Sequence, residues 1–204
     1  MTEFLTIVVA HAIGVAAPGP DFAVVLRHSV NQGPRAGKLV SLGIAMGVMV
    51  HMTYCVLGIS LMSQLFNSYL TYLNIIGAIF LCYLALNSLR HRPLSVCKNS
   101  EGKTLIINPI RLIFIGFLTN GLNIKATLFF MALFAIVINQ ETSTQVLIGY
   151  GCYLVGATYL WFTGLSVLLT RTRVRDFFLK RERQFNMAMA IVFLLFATQL
   201  LLAV

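Results

Sequence analysis

Two short stretches of this chain hold residue types that could do chemistry. "PGPD" at Pro18–Asp21 sets two prolines, a glycine and a carboxylate inside an apolar run, and "NGLNIK" at Asn120–Lys125 sets two amides and an ammonium inside another. Pro18 and Pro20 lack an N–H and clash with the preceding turn, so carbonyls near residues 14–17 lose their helical partners. In lipid each unpaired backbone group costs several kcal/mol, so such a break must face protein or a watery cavity. Asp21 reads as the N-cap of a second half-helix running through "FAVVLRHSVNQ". Freed amides and a helix N-terminus are positive, freed carbonyls and Asp21 negative, and a small zwitterion suits such a site.

Lys125 supplies the other charge. An ammonium near mid-span costs about 2.5–3.5 kcal/mol on insertion scales and is a functional candidate by default. An amino acid needs an anionic partner for its ammonium and a cationic one for its carboxylate. Asp21 and Lys125 provide both if the two stretches share a cavity, with Pro18, Gly19, Pro20, Asn120 and Asn123 forming the broken backbone around them. Phe22, Phe129 and Phe130 would meet the substrate side chain, and Thr119 is a further hydrogen-bonder. The competing structural reading is that Asp21 and Lys125 pair only to hold the two segments together.

The elements that must position these residues are membrane helices. Of 204 residues 58% are hydrophobic and 10% charged, with mean hydropathy +0.86, whereas soluble domains carry about 25% charged residues. About 20 apolar residues cross a roughly 30 Å hydrocarbon core, and six such windows fall near 4–26, 38–62, 68–89, 110–138, 144–169 and 185–204. The expected fold is therefore an all-α integral membrane protein of six transmembrane helices, the first and fourth broken, in one domain over 1–204. An odd number of spans per half makes the halves, roughly 1–90 and 108–204 around a cytoplasmic linker 90–108, an inverted repeat of three helices each. Both breaks lie at a similar depth from their own starting side. The next windows carry matching glycines, Gly43, Gly47 and Gly58 against Gly149, Gly156 and Gly164, which would let helices pack closely.

Charge placement sets orientation. Fourteen of the fifteen Lys and Arg residues lie in the first, third and fifth connections, and "SQLFNSY" and "NQETST" have none. The positive-inside rule then puts the basic connections in the cytoplasm and both termini outside. "RTRVRDFFLKRER" is explained by topology and anionic headgroups rather than by nucleic acid. The N-terminus has an acid and no Lys or Arg before its apolar run, so it reads as a retained span rather than a cleaved signal.

Other side chains are weaker candidates. His51 lies one and two steps of four residues beyond Gly47 and Gly43 and so faces the interior, where it packs or relays protons; His11 offers the same choice. His28 and His91 sit beside basic residues and read as interfacial, and Met46, Met49 and Met52 read as core. Cys55, Cys82, Cys97 and Cys152 form no CxxC pair, and none falls at either break, so neither a metal site nor a disulfide framework is indicated. With no HExxH and no nucleophile beside a base, an enzyme is not expected, nor any cofactor.

The same residues carry a family likeness over essentially the whole chain. "PGPDF" at 18–22, "GPRAGKLVSLGIAMG" at 33–47 and "GFLTNGLNIKATLFF" at 116–130 resemble the signatures of the LysE/RhtB amino-acid exporters, the last matching a GFLxNxxNPKAxLFF pattern except that Ile124 replaces its proline. The resemblance implies a bacterial inner-membrane transporter that exports small amino acids such as threonine, homoserine or lysine, by exchange with protons. It carries over to Pro18, Gly19, Pro20, Asp21, Asn123 and Lys125. The expected partners are the amino acid, protons and the bilayer, with a homodimer permitted by the glycine faces and a passive channel or structural subunit as the alternative function.

Overall fold

A computed structural model describes residues 2–65, 70–90, 108–138 and 142–202, and all nine elements within them are helices. In chain order they are α1 (Thr2–Ala16), α2 (Pro20–Gln32), α3 (Pro34–Leu65), α4 (Leu70–Leu89), α5 (Pro109–Gly121), α6 (Ile124–Val137), α7 (Thr144–Leu168), α8 (Thr172–Lys180) and α9 (Glu182–Leu202). Most of the 90–108 linker, with His91, Arg92, Cys97, Lys98 and Lys103, lies outside the described residues, as do parts of the connections around 66–69 and 139–141.

Three helices, α3, α7 and α9, are each long and apolar enough to cross a bilayer. The first and fourth apolar windows are instead bent pairs: α1 meets α2 at 54° and α5 meets α6 at 56°. The third window is α4, whose stretch Ile75–Leu89 is an apolar helix. The molecule is thus a helical, multi-pass membrane protein. Its outer surface agrees, since Ile79, Leu160 and Leu195 are each more than 60% exposed, a pattern suited to acyl chains rather than water.

Local sequence explains the ends of these helices. Pro20 and Pro109 occupy first helical positions, where a fixed φ and a missing N–H cost nothing. Gly33 ends α2 at φ +84°, a left-handed conformation that favours glycine, and Pro34 starts α3 immediately after. α8 was not among the expected elements. Its nine residues are strongly charged, yet Phe178 packs 5.4 Å from both Phe22 and Phe185, so the basic segment is a short helix clamped against the transmembrane body.

α3 is the central helix, packed on α2, α5, α6 and α7, while α4 pairs with α9. The glycine expectation splits in two. A Cβ on Gly43 would strike the Ile113 carbonyl, and one on Gly116 the Val40 carbonyl, so α3 and α5 touch backbone to backbone. At Gly58, Gly149, Gly156 and Gly164 an added Cβ would meet nothing. Two apolar cores result. One, with Phe22, Val25, Val40, Leu112 and Leu165, fills the half toward the α2–α3 turn, and the other, with Ile7, Phe129, Leu133, Leu154 and Phe193, fills the opposite half. The two helix breaks lie between them.

Candidate functional site

At the first break, Pro20 takes the first helical position and moves the cap back to Gly19, which is extended at φ −154° and ψ −166° and makes no side-chain capping bond. Asp21 is therefore not the N-cap that its position after the prolines suggests. Its carboxylate turns away from its own helix and across to the second break, where Oδ2 accepts from Asn120 Nδ2 at 2.9 Å and from Asn123 Nδ2 at 3.3 Å.

The second break forms without a proline. Asn123 is extended at φ −76° and ψ 99°, and its Oδ1 accepts from the Lys125 and Ala126 amides at 3.1 and 3.4 Å, which is N-capping by an asparagine. Ile124 stands at the first helical position, the place a family proline would hold. On the other side of the gap the Asn120 carbonyl accepts from the Asn123 amide at 2.9 Å and from His51 Nε2 at 3.0 Å. A carbonyl only accepts, so in neutral His51 the proton sits on Nε2 and Nδ1 takes the Tyr54 hydroxyl, 2.7 Å away.

The two breaks enclose a cavity of about 60 Å³. Asp21, Asn120, Asn123 and Lys125 line it, and Phe22, Phe129, Phe130 and Phe162 supply apolar wall. Asp21 Oδ1 and Asn120 Oδ1 are buried there without a hydrogen-bond partner among the described residues. Lys125 makes neither an ion pair with Asp21 nor a side-chain bond to another described residue. Asp21 and Lys125 attract each other across the cavity without an ion-pair contact, so Asp21 Oδ1 and the Lys125 ammonium keep hydrogen-bonding capacity there.

The two histidines are placed differently. His11 is on the cavity wall, with Nε2 2.9 Å from Thr158 Oγ1. His51 is not on the cavity wall; it stands behind Asn120 and stacks on Phe130, two residues that are. Pro18 lines a second, larger cavity of about 500 Å³, which shares Gly19, Pro20, Asn123 and Lys125 with the first. Sequence reasoning missed Thr158, Phe162 and Met189 on the inner wall and Asn87, Ser88 and Asn186 on the outer one. They come from α4, α7 and α9, and nothing in their local sequence marks them, although Asn186 and Ser88 as buried polar residues in apolar helices carried a faint signal.

The fold is that of a helical membrane protein in which two bent helix pairs enclose a polar cavity, and the family match makes it a translocator. The model of the LysE type translocators matches residues 12–204, and the chain belongs to that family. It is similar to the "Threonine efflux protein" of Escherichia coli (strain K12), 26% identical over 173 residues that make up 84% of each chain. The protein of that name from Salmonella typhimurium (strain LT2) is 25% identical over 180 residues, 86% of this chain and 85% of the relative. An "Uncharacterized membrane protein" of Haemophilus influenzae is 23% identical over 198 residues, 94% of this chain and 92% of the relative. No solved structure matches the chain.

Proposed function

We propose that the protein exports a small amino acid from the bacterial cytoplasm in exchange for protons. The observation that carries this reading is the buried Asp21 Oδ1, without a hydrogen-bond partner among the described residues, in the same cavity as a Lys125 that attracts it without an ion-pair contact. Asp21 takes the substrate ammonium, Lys125 its carboxylate, and Asn120 Oδ1 is a second acceptor for the ammonium. The relatives named for threonine efflux support a threonine-like substrate.

The reading treats the chain as one domain of six spans in the inner membrane, with both termini outside and halves of three spans related by inversion. The similar bends of 54° and 56° support the inversion, since each half then begins with an equivalent elbow. In the cycle the halves rock around the fixed breaks. Ionised Asp21 binds the ammonium on the cytoplasmic side; on the outer side the substrate leaves and a proton takes its place on the carboxylate. The neutral acid returns, and the proton is released inside. In this cycle His11, on the cavity wall, passes that proton, and His51 positions Asn120.

Efflux of labelled threonine, homoserine and lysine from proteoliposomes tests the reading. Wild type should move at least one of them, faster under an inward proton gradient, and Asp21→Asn should lose the response to that gradient. Equal rates for the two proteins would remove Asp21 from the mechanism, and flux indifferent to the gradient would favour a passive channel.

A further inference from the structure

The larger cavity is built differently from the inner one. Its polar wall consists of Asn87, Ser88, Thr119, Asn123, Asn186 and Lys125, with no carboxylate among the described lining residues. Asn87 and Ser88 belong to the last turn of α4, which leads to Arg90, and Asn186 to the first turns of α9, just after Arg181 and Arg183. The cavity therefore reaches from the breaks toward the ends of helices that carry basic connections. Asp21 lines only the inner cavity, whereas Lys125 lines both.

Size separates the two as well. The inner cavity is the tighter of the two, with about 60 Å³ against about 500 Å³ for the outer one. The outer one, at about 500 Å³, takes a hydrated amino acid.

We infer that this larger cavity is an intake vestibule that binds α-amino acids carboxylate first, with Lys125 as the group that passes the carboxylate from vestibule to inner site. It rests on the exporter reading. A wall of amides and hydroxyls solvates either end of a zwitterion, but the one charged side chain among its described lining residues is the Lys125 ammonium, whose attraction to Asp21 runs into the inner cavity, and the basic connections that follow α4 and precede α9 favour anions on this side. The carboxylate leads. The ammonium reaches Asp21 only when the inner cavity widens. Amino-acid esters and amides, which keep the ammonium but lack the carboxylate, are therefore rejected at the first step rather than at the Asp21 site.

Cysteine reporters in the full chain test this. Ser88→Cys and Asn186→Cys are labelled with a membrane-impermeant maleimide in inside-out vesicles, modification at each position being read by peptide mass spectrometry. The probes are L-threonine, L-homoserine, L-lysine, N-acetyl-L-threonine and L-threonine methyl ester. Both reporters should label from this side. At about ten times its half-protecting concentration, an exported amino acid should slow labelling by about tenfold, by mass action. N-Acetylthreonine, which retains the carboxylate, should protect, and the methyl ester should not; adding Lys125→Gln should abolish protection. Protection by the ester equal to that by threonine overturns the inference, as do reporters that no exported amino acid protects or that do not label from this side. Efflux is measured on the same preparations: efflux without carboxylate-dependent protection refutes the vestibule alone, and no efflux of any of the three amino acids refutes the exporter reading itself.

Discussion

Asn123 bonds in three directions at once: its Oδ1 caps α6, its Nδ2 reaches Asp21, and its carbonyl accepts from the Thr127 hydroxyl at 3.1 Å. Replacing it with alanine should therefore cost about 1 kcal/mol in capping and also leave Asp21 with one donor fewer. Thermal unfolding of Asn123→Ala in detergent checks the first effect, and the transport rate the second. Ile124→Pro makes the opposite expectation. The position is the first of α6, and the preceding Asn123 is already extended as a proline requires. The variant should keep the fold and gain about 0.4–1 kcal/mol from a stiffer unfolded chain, seen as a raised melting temperature. At this scale the sequence was most informative where charge and apolar context conflict. Asp21 and Lys125 stand out in any hydropathy reading, but the turn of Asp21 toward Asn120 depends on a contact across 99 positions of chain that no local pattern records.

At the scale of the helices, glycine shows how one sequence pattern can hold two physical meanings. Gly43 lies against the backbone of α5, so Gly43→Ala must push α3 and α5 apart, at about 1–3 kcal/mol for overpacking. Gly149→Ala, on α7, meets open space and should stay within about 0.5 kcal/mol of the parent. Melting temperatures of the two variants side by side check the contrast. Spacing made both sets look alike; only the neighbouring helix tells them apart. α8 escaped the sequence reading for a related reason, because its charge described a connection while Val174, Phe177 and Phe178 made a short apolar stripe that matters only once Phe22 is beside it.

The molecule as a whole was the more legible part, since every apolar window corresponds to a helix or a bent pair of helices. Lipid imposes this economy, because a spanning backbone must satisfy itself within the segment. Orientation is open to direct measurement. If the spans alternate as proposed, Ser143→Cys and Thr170→Cys, at the two ends of α7, should label from opposite faces with an impermeant reagent, the second from the cytoplasm.

The two elbows, alike in angle, are unequal in permanence. The first follows from prolines, whose missing N–H is written into the covalent chain, and no rearrangement of hydrogen bonds can restore it. The second is held by an asparagine cap worth about 1 kcal/mol and by the His51 bond to a carbonyl. Ile124 keeps its N–H, so nothing in the covalent chain at that position enforces the second break; side-chain bonds hold it. One elbow is thus written into the covalent backbone and the other into side-chain bonds that a single substitution can remove.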